Sequence, residues 1–387
     1  MRILHTSDWH LGRTLHKVSL AQAQAVAMAH ICQVAVEEAV DLIVVSGDVF
    51  DHAVPSAEAL EQLEATLSDL VEVAPTVVTA GNHDSLRRLG YGSRLFTERL
   101  FLRTRTEDIG SGLEFTDQFG AVTVYPIPYL HPDTARHVLA PDDDPLPATH
   151  AAVMAAAMAR VEADMKRRPE PSRSVVLAHA WVAGAGVSDS ERDISVGGLG
   201  TIGCDVFSGV DYVALGHLHS PQEPRTTGSR TRLRYSGSPL RYSFSEAEHE
   251  KSVTIVELGA DGVDDIRERT IPQPREMANL SGLMDELLDP ALYAEHTDSW
   301  VSVTVTDHRR PSQMWPRIQQ RFPHALLVRH EPADGWVRSA PTTRTGEQKP
   351  SEVAGDFVEY VTNGQIQAGE AAAFDRAVQA VRAEESQ

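Results

Sequence analysis

The chain has 387 residues, 42 % of them apolar and 6 % aromatic, and a formal net charge of −20. That length suits two or three domains and a substantial core. The acidic balance excludes a protein that coats nucleic acid through bulk charge, though not a nuclease helped by a local basic strip or a basic partner. No run of eighteen apolar residues predicts a membrane span, and no signal peptide is expected ahead of the first strand. The two cysteines, Cys32 and Cys204, lie outside any Cys-x-x-Cys pair. They make neither a disulfide framework nor a structural zinc site, in keeping with a reducing cytoplasm.

Met1–Ser7 reads as the first strand, with Asp8-Trp9-His10-Leu11-Gly12 as its loop. Ser19 and Gln22 predict a capping box that opens a helix, along which Leu20, Ala23, Ala27, Ile31 and Val34 form an apolar stripe. Leu42–Ser46, apolar and β-branched, reads as a buried strand running into Gly47-Asp48-Val49-Phe50-Asp51. Pro55-Ser56 starts a second helix with Leu60, Leu63, Leu67, Leu70 and Val71 inward, and Pro75 ends it. A strand over Thr76–Ala80 leads to Gly81-Asn82-His83-Asp84. This alternation predicts a layered sheet with helices on it.

Val122–Ile127 reads as a strand, 141–147 as a loop and 149–168 as a helix. Met154, Met158, Val161 and Met165 share one face of that helix, a stripe suited to core packing more than to a partner. A strand over Val175–Ala178 ends on His179, and a Gly- and Ser-rich loop follows over 183–203, beside the site. Tyr212–Leu215 leads to His217 and His219. Arg225, Arg230, Arg232 and Arg234 around Gly228-Ser229 predict a basic hairpin, read as solvated charge before phosphate contact. Ser252–Leu258 is a further strand, with a turn at Asp261-Gly262. A smaller unit begins near 273: a strand over Trp300–Thr306, a helix over Pro311–Phe322 and a strand over Ala325–His330. A polar linker over 340–351 and amphipathic helices over 351–362 and 368–384 complete the chain.

Every candidate ligand directly follows a predicted strand: Asp8 and His10, Asp48, Asn82, His179, and His217 with His219. If those strands share a layer, their loops converge on one edge. Oxygen and imidazole donors without thiolate suit manganese, iron or zinc. Two divalent ions close together can clamp a phosphate and lower the pKa of a bridging water. Asp48 is the candidate bridge. Asp8, His10 and His219 would complete one site, and Asn82, His179 and His217 the other. His83 is left as a non-ligand able to protonate a leaving oxygen or neutralise charge on the phosphate, with Asp84 fixing its tautomer. Arg87 and Arg88, just after that loop, stand by position as phosphate contacts. Singly, Asp8 and Asp48 read as turn or cap residues, Asn82 as a turn residue and His179 as a core or surface histidine; five strand-end sets in one chain carry the chemistry.

Asp8-x-His10, Gly47-Asp48-x-x-Asp51, Gly81-Asn82-His83-Asp84 and Gly216-His217-x-His219 resemble the signature of the calcineurin-like metallophosphoesterases. Four stretches are similar to the SbcD family of nuclease subunits: His-Thr-Ser-Asp-Trp-His-Leu-Gly at 5–12, Gly-Asp-Val-Phe-Asp at 47–51, Arg192-Asp193-Ile194 with Gly197-Gly198, and Gly237-Ser238-Pro239. The likeness covers about residues 1–260, and the rest by architecture. It implies an α/β fold with layers of α+β type: a metallophosphoesterase β-sandwich flanked by helices over 1–272, a small α/β capping domain over 273–340, and a linker with C-terminal helices over 341–387 that dock on an SbcC-type ATPase. It also implies two divalent metal ions, Mn2+, on Asp8, His10, Asp48, Asn82, His179, His217 and His219, with His83 catalytic and not a ligand. The implied substrates are DNA ends and hairpins, cut as a double-strand exonuclease and a single-strand endonuclease in repair, recombination and replication. The implied assembly is a homodimer within a heterotetramer, cytoplasmic and nucleoid-associated when on DNA. Two competing readings are a small-molecule metallophosphodiesterase, which keeps the site and drops the capping and partner roles, and a non-catalytic DNA-end scaffold, which the complete ligand set argues against.

Overall fold

The short β-branched runs fold as strands of two facing sheets, and the amphipathic stretches fold as helices on them. The computed structural model describes residues 1–96, 98–140, 144–191, 200–224, 228–332, 369, 372–374, 376 and 377. Arg2–Thr6 (β1) is followed by a ribbon of Thr14–Leu15 (β2) and Val18–Ser19 (β3). The ribbon takes Ser19 into strand pairing, so Ala21–Glu37 (α1) starts from Leu20 without a side-chain cap, and the expected capping box does not form. Leu42–Ser46 (β4) leads to Ala57–Val73 (α2), where Ser56 Oγ caps the helix by accepting from Ala59 N at 3.2 Å. Leu63, Leu67 and Leu70 are buried, whereas Leu60 is 50 % exposed. Side chains lean toward a helix's N-terminus, and the first turn of α2 has only a loop ahead of it.

Thr76–Thr79 (β5), Leu86–Leu89 (α3), Leu100–Leu102 (β6), Leu113–Asp117 (β7), Gly120–Ile127 (β8), Pro132–Val138 (α4), His150–Arg167 (α5), Arg173–His179 (β9), Tyr212–Gly216 (β10), Arg232–Tyr235 (β11), Ser252–Gly259 (β12) and Gly262–Thr270 (β13) complete the larger unit, residues 1–276. One sheet runs β13-β12-β1-β4-β5-β6 and the other β11-β10-β9-β8-β7. Ile3, Leu42, Val44, Val77 and Val256 of the first pack against Val122, Val124, Val175, Leu177 and Ala214 of the second. On the second sheet's other face, Met154, Met158 and Val161 of α5 pack with Ile127, Val176 and Val213, so the methionine stripe is core. Central strands buried on both faces explain the unbroken apolar runs in the sequence.

Strands β1, β4 and β5 are parallel neighbours in one sheet, as are β9 and β10 in the other. At the base of the basic hairpin expected over 225–234, Gln222 and Tyr235 form an antiparallel bridge, with Gln222 N donating to Tyr235 O at 3.2 Å and Tyr235 N to Gln222 O at 2.9 Å. β11 pairs in parallel with β10, Arg232 pairs with Glu223 and Arg234 with Glu268. Residues 225–227 lie outside the described residues, as do 141–143 of the expected loop.

The smaller unit, residues 277–387, holds Met277–Gly282 (β14), Met284–Leu288 (α6), Trp300–Val305 (β15), Met314–Arg321 (α7) and Ala325–His330 (β16). Its parallel sheet runs β14-β15-β16 over a core that includes Leu280, Leu287, Val303, Ile318 and Phe322. The first strand and α6 have no counterpart in the sequence reading, because Met-Ala-Asn-Leu-Ser-Gly lacks β-branched residues. The linker over 340–351 and the helix over 351–362 lie outside the described residues; Gly369, 372–374, Arg376 and Ala377, within the last expected helix, are helical. Among the described residues no helix is long and apolar enough to cross a membrane.

The two sheets approach closely at the end of β10. A Cβ on Gly216 would lie 2.0 Å from Ser46 O and 2.9 Å from His179 Nδ1. Gly216→Ala is expected to cost about 1–3 kcal/mol by overpacking, read as a lower urea midpoint with an unchanged m-value.

Candidate metal centre

The loops after β1 and β4 continue the sheet's hydrogen bonding past the strand ends. Asp8 N donates to Gly47 O (3.0 Å), His10 N to Asp48 O (3.0 Å) and Leu11 N to Val49 O (2.9 Å). The other loops are tied in through carboxylates: His83 N donates to Asp48 Oδ1 at 2.8 Å and His217 N to Asp8 Oδ1 at 3.0 Å. Asp8, His10, Asp48 and His217 all have positive φ (56°, 46°, 49° and 107°). That conformation is costly for a residue with a Cβ and persists only where surrounding bonds over-determine it, as they do here. Gly81 is required by closeness, since a Cβ there would lie 2.1 Å from Asp48 Oδ1.

The seven residues singled out as ligands lie together, and apart from Asn82 all are buried. Donor atoms of Asp8, His10 and His219 lie within 4.8 Å of one another, as do those of Asp8, Asp48 and His179. His10 Nε2 and His219 Nε2 are 3.1 Å apart. Asn82 Oδ1 lies 2.9 Å from His179 Nε2 and 3.2 Å from His217 Nδ1. Asp48 Oδ2 stands between the groups, 3.6 Å from His10 Nε2 and 3.5 Å from His179 Nε2.

The chemistry of this donor set fits divalent cations. His179 Nδ1 lies 2.9 Å from Ser46 O, a pure acceptor, so the ring's proton belongs on Nδ1. Its Nε2 lone pair then faces Asn82 Oδ1 and Asp48 Oδ2, which are also acceptors. Asn82 Nδ2 is buried and has no hydrogen-bond partner among the described residues. Acceptors converging in this way need a cation or a proton between them. Carboxylate, amide oxygen and imidazole are a suitable set for a divalent ion.

Without a cation a proton takes that place. Burial opposes charge on His179, but the Asp48 and Asp8 carboxylates outweigh it and lift the ring to about 9. Burial raises Asp8 to about 6, lowers His10 to about 3 and holds His217 well below the usual histidine range. It also acts to raise Asp48, but His179, His10 and His83 prevail and keep that carboxyl well below the usual carboxylate range.

His83 adjoins this cluster, with a ring nitrogen and donor atoms of His10 and Asp48 within 4.8 Å of one another. Its Nδ1 lies 2.7 Å from Asp51 O and its Nε2 3.9 Å from Asp48 Oδ2. The expected role of Asp84, orienting His83, passes to that Asp51 carbonyl. The Asp84 carboxylate instead accepts from Val49 N (3.1 Å), Phe50 N (2.9 Å) and Gly81 N (2.9 Å), splinting two loops together. Burial and then Asp48 push Asp84 up to about 7. Arg87 and Arg88 are exposed on α3, and Arg88 Nη1 donates to Ala53 O at 2.9 Å.

Several supporting residues escaped the sequence reading. Gln24 Nε2 donates to His10 O (2.6 Å) and Trp9 O (3.2 Å); its signal was a polar residue inside the apolar stripe of α1. Glu246 and Lys251 form a fully buried ion pair beside His219. They sit in the stretch Ser-Glu-Ala-Glu-His-Glu-Lys, whose polarity reads as surface. Residues 192–199, including Arg192, Asp193, Ile194, Gly197 and Gly198, lie outside the described residues.

A cation at this centre must displace the proton of His179. Its affinity is therefore expected to rise about tenfold per pH unit from neutrality toward the His179 value, with about one proton released, read by calorimetry in buffers of different ionisation enthalpy. The sign is fixed by the pKa, which is raised from 6.5 to about 9: in the cation-free protein, stability from the His179–Asp48 pair is full below 6.5 and lost as pH rises through about 9.

Residues 1–221 match the family model described as calcineurin-like phosphoesterase, and residues 273–362 match the SbcD C-terminal model, described as type 5 capsule protein repressor C-terminal domain. Among solved structures, the chain is similar to a protein of Thermus thermophilus, at 15 % identity and a TM-score of 0.41, over 70 % of this chain and 99 % of that one. It is also similar to a dimetal phosphatase from Danio rerio, at 11 % identity and a TM-score of 0.40, over 70 % of this chain and 98 % of that one. With the first family model matching more than half its length, the chain belongs to the calcineurin-like phosphoesterase family, and the pairing of its two domains is that of an SbcD-type nuclease subunit.

Proposed function

We propose that this metal-dependent hydrolase is a DNA nuclease, cutting double-stranded ends as an exonuclease and hairpins or single strands as an endonuclease, together with an SbcC-type ATPase in double-strand-break repair and recombination. The observation that carries the reading is the convergence of six oxygen- and imidazole-bearing residues on a seventh, Asp48, with His83 Nε2 3.9 Å from Asp48 Oδ2 and its other nitrogen facing a carbonyl. In this reading Asp8, His10 and His219 hold one ion, Asn82, His179 and His217 the other, Asp48 serves both, and the ions are Mn2+. Two such ions supply Lewis acidity toward a phosphodiester and make water a nucleophile near neutral pH.

The chain's own residues do the rest. Asp48 stays ionised because three imidazoles face it. Its Oδ1 is occupied by His83 N, which keeps Oδ2 aimed at the cluster. His83 keeps one proton on Nδ1 against Asp51 O, so Nε2 is the atom that faces the site and the one on which a second proton would be held. From there it can pass to the oxygen that leaves phosphorus, or stay and offset charge on the phosphate. In this reading Arg87 and Arg88 serve as phosphate contacts for the flanking backbone.

A net charge of −20 calls for a partner that supplies most of the DNA affinity. The match over 273–362 supports placing that partner's docking surface and the capping function in the C-terminal third: capping over 273–340, docking helices over 341–387. In this reading the chain works in the cytoplasm, as a homodimer within a heterotetramer, on DNA ends.

The test is Mn2+-dependent cleavage of an end-labelled hairpin DNA, with and without the ATPase. Asp48→Ala is expected to lose both metal and cleavage. His83→Ala is expected to lose about 10²–10⁴-fold in turnover with near-normal metal content. Hydrolysis of a generic phosphodiester but of no DNA, even with the ATPase, would replace the nuclease by a small-molecule phosphodiesterase. Partner binding with no metal-dependent cleavage at all would leave a DNA-end scaffold.

A further inference from the structure

Of the ligands proposed here, His219 is gripped at three points. Glu191 Oε1 accepts from its backbone N (2.8 Å), and Lys251 Nζ donates to its backbone O (2.8 Å). Its ring Nδ1 lies 2.6 Å from Ser190 Oγ and 3.3 Å from Glu246 Oε1. Glu246 and Lys251 have fully buried side chains, and their charged atoms are 2.5 Å apart. Lys251 Nζ also donates to Ser238 Oγ at 3.0 Å, and Glu246 Oε2 accepts from Tyr242 N at 3.3 Å. Glu191 Oε2 accepts from Ser188 N (2.6 Å) and Ser188 Oγ (2.7 Å), which ties the loop before β10 to the same histidine.

Stability alone does not account for such a pair. Taking two charges out of water costs about as much as their attraction returns, and apolar residues of the same volume would serve as well. Position accounts for it. An ionised carboxylate only accepts, so the His219 ring must donate from Nδ1 and present its Nε2 lone pair to the cluster, 3.1 Å from His10 Nε2. Lys251 keeps the carboxylate charged and fixed in place. The counterpart histidine, His179, rests on a neutral carbonyl, Ser46 O. A carboxylate behind an imidazole makes it a stronger and better-oriented ligand than a carbonyl does.

We propose that the buried Glu246–Lys251 pair, with Ser190 and Glu191, is a positioning device for His219 that selectively tightens cation binding at the Asp8–His10–His219 cluster. It acts through His219 and touches neither ion nor substrate. The inference rests on the two-ion reading but not on DNA being the substrate, and its test uses no DNA.

The test measures Mn2+ binding to the full chain by calorimetry and the visible absorption of the Co2+-loaded protein. Glu246→Gln removes the charge behind His219. The double variant Glu246→Gln with Lys251→Met removes the whole pair without stranding a buried ammonium. In both, one of the two binding events is expected to weaken about 10–100-fold while the other holds, and the Co2+ spectrum is expected to change. Ser190→Ala touches the same ring nitrogen from a loop and leaves the pair intact, so it stands in if the others do not fold; a several-fold weakening of the same event is expected. Wild-type affinities and an unchanged Co2+ spectrum in the folded variants would overturn the proposal. So would equal weakening of both events together with a fall in melting temperature, the mark of a merely structural pair. A wild-type chain that does not take up two ions would sink the two-ion reading and this proposal with it, whatever the outcome on DNA.

Discussion

One carboxylate oxygen, Asp48 Oδ2, sets the terms for the rest of this protein. It is buried within 4 Å of three imidazoles, and its partner oxygen is spent on the His83 amide. A buried, ionised carboxylate is tolerable only with compensating positive charge or hydrogen bonds. The strand-end loops around it are arranged to supply that compensation. Positive φ at four of the donor-bearing residues and the close approach at Gly216 and Gly81 are local costs of bringing the donors to one point.

The fold makes the convergence possible. Parallel strands in one sheet end on the same edge, and a second sheet packed against it brings β9 and β10 to that edge as well. The loops then need no length of their own, because Asp8, Asp48 and His217 follow their strands within two residues. Short loops on stiff strands hold donor atoms to tenths of an ångström, which a cation centre demands. Behind them lies a layer of Gln24, Asp84, Glu246 and Lys251 that fixes backbone carbonyls, amides and ring tautomers. The layer differs on the two sides of Asp48: a charged pair backs His219, and a neutral carbonyl backs His179.

The division into two units separates chemistry from context. All the donors belong to residues 1–276, and the smaller unit carries a core of its own. An acidic chain of a phosphoesterase family is an uneasy pairing when alone, since phosphates are repelled at a distance. Three of its basic side chains, Arg232, Arg234 and Arg173, are committed to acidic partners. For the proposed DNA substrate, most of the affinity would have to come from elsewhere.

What the sequence determined by itself was the set of donors and the edge on which they fall. Period-two and apolar patterns locate strands, and Asp, Asn and His directly after them locate the candidate ligands, since both signals are local in the chain. Helices α1, α2, α5 and α7 were legible for the same reason, whereas the short α3, α4 and α6 were not. Tertiary structure alone decided what depends on partners distant in sequence. Ser19 went to a ribbon instead of a capping box, and Arg232 to a strand pairing in parallel with β10. Asp84 went to splinting two loops, while His83 took its orientation from the Asp51 carbonyl. Glu246 and Lys251 are the clearest case. In sequence they are two charges in a polar stretch, indistinguishable from surface. Only packing against His219, more than twenty residues earlier, removes them from water and gives a carboxylate and an ammonium a reason to be buried.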